Sequence, residues 1–233
     1  MRFLDECGKF LQETRRQFPR TGAVLPSSRF LARALVSEVR QPRGPARLLE
    51  VGPGTGAVTA QIVRHMLPWD RLDAVEINLR FIHVLQRRLD TEWHARRDQV
   101  QLIHSPVEDL PGEAIYDYIV SGLPLNSFPV ALVREVFEAY SRLLKPGGTL
   151  SYFEYVFVRE LKHPFVDRRE RRRLYRVGRI VSRYINSYQI RRQRILVNVP
   201  PAIVRHLRLR PRTWDVRSSL GSAALDKRQG VLV

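Results

Sequence analysis

Apolar and polar positions follow two periods along the chain. Over residues 2–17, Phe3, Leu4, Cys7, Phe10 and Leu11 recur at helical spacing with Lys9, Gln12 and Arg16 opposite, which predicts an amphipathic helix. A second helix is predicted over 28–40, entered through Pro26-Ser27-Ser28 with a serine available as cap. Short apolar runs and helical patterns then succeed one another: strand 46–51, helix 57–66, strand 72–77, helix 79–90, strand 99–104, strand 116–121, helix 129–144 and strand 149–155. This alternation predicts an α/β domain with a parallel sheet and right-handed crossovers. Residues 167–185 read as one long helix. Two further strands, 189–198 and 202–210, turn at Pro200-Pro201 and suggest an antiparallel hairpin at one sheet edge.

Composition narrows the class. A chain of 233 residues with 44% hydrophobic content suits one soluble α/β domain. No apolar run approaches the ~20 residues of a spanning helix. The mixed charges of the first segment do not predict a secretory leader. The single cysteine, Cys7, excludes an internal disulfide or a cysteine-built zinc site, no metal is expected, and a cytoplasmic setting is the default.

The net charge of +17 changes the picture, because it calls for an anionic partner: a membrane surface or nucleic acid. It is concentrated late in the chain, with thirteen Lys/Arg against three acids between Arg159 and Arg194. Arg168, Arg169, Arg171, Arg172, Arg173, Arg176, Arg179 and Arg183 fall on the 167–185 helix, whose apolar side is marked by Leu174, Val177, Ile180, Val181 and Tyr184. A solvated face is the plain alternative. The last stretch, 213–233, lacks periodicity and reads as a loosely held tail.

Candidate chemistry centres on "LLEVGPGTGAVTAQIV", residues 48–63. Strand 46–51 ends in Glu50-Val51 and turns through Gly52-Pro53-Gly54-Thr55-Gly56 into a helix. Glycine permits positive φ and close approach of a ligand to backbone, and the helix start offers free N–H groups. Strand 72–77 ends in "AVEIN", which places Glu76 beside the loop for a ribose diol. A tight βα turn with an ordinary surface acid would carry the same letters.

Taken in order, "LLEVGPGTGAVT", "AVEIN", "IHSPVEDL" and "LLKPGGTLSYFEY" resemble the consecutive motifs of class I S-adenosylmethionine-dependent methyltransferases over roughly residues 46–155. The resemblance implies a seven-stranded, mostly parallel Rossmann-like sheet with an antiparallel edge hairpin, and S-adenosylmethionine as cofactor. It implies cofactor contacts from Glu50, Gly52, Pro53, Gly54, Thr55, Gly56, Glu76, Ile77, Pro106, Val107, Glu108, Ser121 and Gly122. The domain organisation it implies is N-terminal helices over 1–45, a core over 46–212 with the basic helix as an insertion, and the tail. Many relatives carry an aspartate where Pro106 aligns.

"YIVSGLPLNSFP", residues 118–129, follows the fourth strand and in this family faces the methyl group. Adenine dimethyltransferases place an amide and an aromatic ring there, since a planar exocyclic amine needs in-plane acceptors and a stacking ring. Here Gly122-Leu123-Pro124-Leu125 has neither, which suits an aliphatic amine, with Leu123, Pro124 and Leu125 as pocket residues. With "GAVLPSSRFLA" and "NVPPAIV", the segment resembles bacterial phospholipid N-methyltransferases. That resemblance implies methylation of phosphatidylethanolamine towards phosphatidylcholine at the inner leaflet, with ornithine lipid or ribosomal RNA adenine as alternative acceptors. Phe3, Leu4, Phe10, Leu11, Arg171, Arg172 and Arg173 are the expected membrane contacts; a helix packed on the body is the alternative for 2–17. Tyr152, Glu154 and Tyr155, at the end of strand 149–155, are candidates for handling the amine proton, and their alternation argues against all three sharing one pocket.

Overall fold

The structure is a computed structural model that describes residues 29–39, 44–125, 128–155, 168–198 and 201–209, with the side chains of 168–171 left aside. The predicted 2–17 helix, the Ser28 cap and the tail lie outside the described residues, as do Phe3, Leu4, Phe10 and Leu11 and the side chain of Arg171.

Seven strands form one sheet: β1 (Arg47–Val51), β2 (Arg71–Glu76), β3 (Val100–His104), β4 (Tyr116–Ser121), β5 (Leu144–Tyr155), β6 (Gln189–Ile195) and β7 (Ala202–Arg208), in the order β3-β2-β1-β4-β5-β7-β6. The first five run parallel; β7 pairs antiparallel with β5 and β6. The helices are α1 (Arg29–Leu35), α2 (Ala57–His65), α3 (Leu79–Thr91), α4 (Val130–Leu143) and α5 (Arg168–Tyr188). The central strands are continuous apolar runs because both sheet faces are covered. On one face Leu49, Val51, Ile119, Leu150 and Tyr152 pack with α4 and α5; on the other Leu48, Leu72, Val120 and Phe153 pack with α1, α2 and α3.

The arginine-rich helix is part of this layering. Val177 and Val181 are buried, and Tyr184 stacks on Phe137 at a centroid distance of 4.5 Å. The apolar stripe of this helix completes the core on that face of the sheet. Two strand boundaries also differ from expectation. β5 starts at Leu144, five residues early, because "KPGG" is kept in the pairing as an irregularity between Tyr116 and Tyr118 of β4. β6 ends at Ile195, and Leu196, Val197 and Asn198 form a turn.

The chain order reverses direction across the sheet between β1 and β4. In open α/β sheets this switch point leaves a crevice beyond the carboxyl ends of the strands. Val51 of β1 and Ser121 of β4 are register partners there, so the loops that follow them diverge from one point.

Candidate active site

The glycine loop leaves β1 at the switch point. Gly52 N–H donates to Val75 O at 2.9 Å and Gly122 N–H to Val51 O at 2.8 Å, which ties the ends of β1, β2 and β4 together. A Cβ on Gly122 would stand 2.7 Å from Gly52 O, so no side chain fits between the two loops. Gly56, with φ 87°, is needed for a different reason. Its Cβ would meet the Trp93 ring at 2.8 Å and Leu85 at 2.9 Å. The third glycine thus serves the packing of loop on helix α3, a role the motif alone does not distinguish from ligand approach.

Two carboxylates flank the loop. Glu76 is 6% exposed; its Oε2 accepts from Gly54 N–H at 3.1 Å and its Oε1 from Asn78 N–H at 3.0 Å. It therefore braces the loop and the first turn of α3 together. Asn78 caps that helix, accepting from Arg80 N–H at 3.0 Å, a signal legible in "EIN" before a helical pattern. Glu50 is 1% exposed, and neither of its oxygens receives a hydrogen bond from the described residues. Burial pushes its carboxyl up to about 8; Thr59 opposes the rise and the charge of Glu76 adds to it. A buried acid without a donor, beside a second acid and a glycine loop, is an acceptor for a cationic group. The ammonium of an amino-acid moiety and a sulfonium are such groups. The residues at the loop therefore fit S-adenosylmethionine.

Arg88 was not found by sequence reasoning, since no motif marks it. Its Nη1 donates to Thr55 O at 2.8 Å and its guanidinium lies 4.4 Å over the Trp93 ring, so it holds the exposed outer limb of the loop. On the β3 side, Val107 is buried in a short 3₁₀ turn, Val107–Asp109, with Ile77, Pro106 and Glu108 half-buried beside the end of β2. Burial raises the Glu108 carboxyl above its ordinary value. Arg142 Nη2 donates to Glu108 O at 3.2 Å and fixes this turn.

The segment beyond β4 separates the three expected pocket residues. Leu123 is half-buried, and its Cδ2 lies 2.7 Å from where a Gly52 Cβ would stand. Pro124 is half-buried. Leu125 is 2% exposed and belongs to the core with Phe128 and Val133, so its side chain does not face an open acceptor pocket. Ser121 is buried, accepting from the Tyr140 hydroxyl at 2.7 Å.

The candidate proton-handling residues also divide. Tyr152 and Glu154 share the α4/α5 face of β5, and the Tyr152 hydroxyl donates to Glu154 Oε1 at 3.3 Å. Arg205 Nε lies 3.5 Å from Glu154 Oε2. Tyr155 takes the other face, edge-on to Phe153 at 5.0 Å, as period-two alternation demands. Burial, reinforced by the Glu154 charge, pushes the Tyr152 hydroxyl far above the usual tyrosine range, and burial raises Tyr155. Both phenols thus stay protonated near neutral pH.

The described residues contain no cluster able to hold a metal ion and no helix long and apolar enough to cross a membrane.

A family profile described as "Methyltransferase domain" matches residues 48–148. The chain is 32% identical over 136 residues to an ornithine lipid N-methyltransferase of Singulisphaera acidiphila, covering 55% of this chain and 67% of the relative. Of the other curated relatives it matches, the chain spans half the length or less. Its fold is similar to that of the O-methyltransferase TomG from Streptomyces achromogenes in complex with SAM (TM-score 0.57, 20% identity, 87% of this chain and 88% of that one). It is equally similar to the 1,6-didemethyltoxoflavin-N1-methyltransferase of Burkholderia thailandensis (TM-score 0.57, 17% identity, 88% and 90%), solved with S-adenosylhomocysteine.

Proposed function

The chain belongs to the class I S-adenosylmethionine-dependent methyltransferases, and from that premise we propose that it methylates the primary amine of a membrane lipid head group. One observation carries this reading to the acceptor. The segment from Gly122 to Leu125, at the mouth of the glycine-loop site, offers neither a stacking ring nor a side-chain amide, and its Leu125 is committed to the core. Such a wall suits an aliphatic amine, which needs collinear approach rather than a platform. The lipid amine is supported by the similarity to an ornithine lipid N-methyltransferase. The phosphatidylethanolamine reading rests on the resemblance carried by residues 118–129 with "GAVLPSSRFLA" and "NVPPAIV".

When bound, S-adenosylmethionine supplies a methyl group on a sulfonium centre for attack by the amine nitrogen. Glu50, Glu76, Ile77, Val107 and the Gly52–Gly56 loop would hold it. The amine must lose a proton to become nucleophilic. With both phenols protonated, Glu154 is the acceptor among Tyr152, Glu154 and Tyr155, and it stands paired with Arg205 at the open end of β5. The enzyme would work at the inner leaflet, drawn there by its arginines.

The test is label transfer from methyl-labelled S-adenosylmethionine, offered in parallel to ornithine-lipid vesicles, phosphatidylethanolamine vesicles and unmodified ribosomal RNA. Label in either lipid supports the reading and selects the head group. Label in RNA alone overturns it.

A further inference from the structure

The register of the hairpin places its turn at the edge where chemistry occurs. Tyr155, the last residue of β5, pairs with Ala202, the first of β7, and Ala202 pairs with Ile195, the last of β6. The turn from Leu196 therefore projects from the carboxyl edge of the parallel strands, the same edge that carries the glycine loop. Leu196 is 70% exposed and Val197 66%, while Asn198 behind them is buried. Two aliphatic side chains thus stand in water on an anchored turn.

Helix α1 brings cations to the same place. Glu38 pairs with Arg191 at 3.2 Å and Ser37 accepts from Gln193 Nε2 at 2.8 Å, so α1 traced backwards runs along β6 towards Leu196. Phe30, Arg33, Arg194, Leu196 and Val197 line one groove of about 670 Å³ there. Phe30 is exposed, with the Arg29 guanidinium 4.9 Å over its ring. Neither Arg33 nor Arg194 pairs with a carboxylate among the described residues. On the opposite face of the sheet, the start of α5 reaches the same edge, since Arg173 Nη1 donates to Phe128 O at 2.6 Å in the segment after β4. Exposed Arg172 precedes it.

Resting on the lipid-amine reading above, we propose that the β6–β7 turn and the start of α1 form a docking surface for an anionic bilayer leaflet, with Leu196 and Val197 entering the acyl boundary. Arg29, Arg33 and Arg194 would meet lipid phosphates around them. Charge complementarity selects the occupant: guanidiniums ring an aliphatic tip, two of them, Arg33 and Arg194, without a carboxylate partner among the described residues, which matches phosphates above acyl chains. A nucleic acid would use the arginines and leave the aliphatic pair unburied. Docking there turns the catalytic edge towards the leaflet, so a head group reaches the site without leaving the bilayer.

The experiment is cosedimentation of the full chain with vesicles of phosphatidylglycerol and phosphatidylcholine, at low salt and at about 0.5 M salt, where surface charges are screened. The double variant Leu196→Ser/Val197→Ser is expected to lose about tenfold in vesicle affinity at both salt concentrations. Its thermal midpoint and its S-adenosylmethionine affinity should match the parent, because the two side chains touch neither core nor cofactor. Arg33→Glu/Arg194→Glu should weaken binding chiefly at low salt. Unchanged vesicle affinity in both variants overturns the proposal. So does a Leu196→Ser/Val197→Ser variant that binds vesicles normally while only the arginine variant fails. If the parent docks through this surface yet labels no lipid, the docking proposal stands and the lipid-amine reading falls.

Discussion

The Glu76 carboxylate accepts the Gly54 amide proton at 3.1 Å, so the acid expected to meet a ribose also fixes the glycine loop that would carry the rest of the cofactor. Its second oxygen holds Asn78 N–H. One side chain therefore shapes the site before any ligand enters and leaves lone pairs for hydroxyl donors.

Glu76→Ala is expected to weaken S-adenosylmethionine binding by at least about tenfold, since hydrogen bonds to a charged acceptor contribute about 1.5–3 kcal/mol each. Glu76→Gln should fall in between, because an amide oxygen can serve only one of the two backbone donors. Titration calorimetry measures both. Equal affinity in all three proteins would remove Glu76 from the cofactor site.

Gly56 separates stability from binding. A Gly56→Ala protein must place a Cβ against Trp93 and Leu85 at a positive φ of 87°, a strained conformation costing about 1–3 kcal/mol. That corresponds to a fall of several degrees in thermal midpoint for a chain of this size, about 2–4 °C per kcal/mol. Gly54→Val, at the centre of the loop, should instead show its larger effect in calorimetric affinity for the cofactor. The reverse pattern would exchange the roles of the two glycines.

Glu50 gives a pH dependence whose sign is fixed. Its carboxyl is raised from 4.5 to about 8 in the folded protein. Below 4.5 both folded and unfolded chains carry the proton. Between 4.5 and 8 the folded chain binds more protons than the unfolded one, so stability falls as pH rises, and above 8 the slope ends. Glu50→Gln, which cannot ionise, should match the parent near pH 4.5 and exceed it by a few kcal/mol, as an order of magnitude, near pH 8.5. The same variant should bind S-adenosylmethionine less tightly, because a glutamine cannot ionise to meet the bound cation. Thermal unfolding across this pH range without cofactor is the measurement, and a constant difference between the two proteins would mean that Glu50 is ionised throughout.

Much of this was legible in residue order. The strands β1, β2, β4 and β5 follow apolar runs with the right punctuation, and "EVGPGTG" with "AVEIN" located the loop and its acid. What escaped depends on contacts between distant segments. "KPGG" reads as a turn but stays in the sheet because β4 supplies a partner for Leu144. Leu196 and Val197 read as strand because they are apolar, yet β7 has no partners left for them beyond Ala202. The use of Gly56 is set by Trp93, 37 positions on, and Arg88 reaches Thr55 from a position that the helical pattern marks only as polar.

Leu125 is where a pattern-level reading and the three-dimensional placement part most clearly. By position in the motif it replaces an aromatic ring and should line the acceptor pocket; in the fold it is 2% exposed among Phe128, Val133 and their neighbours. Leu125→Ala should therefore act as a cavity substitution, costing about 2–5 kcal/mol, with the acceptor preference of the surviving folded enzyme unchanged. Leu125→Tyr should overpack the same site and also lose stability, with no gain of methylation on nucleobases. Leu123→Ala, half-buried against Gly52, should cost less in stability and more in turnover with the lipid amine. Denaturant midpoints and labelled-methyl transfer, measured on the same three proteins, give two independent axes. If Leu125→Ala keeps the parental midpoint and shifts acceptor preference, its side chain lines the pocket after all, and the aliphatic wall that favours a lipid amine extends one residue further than the fold places it.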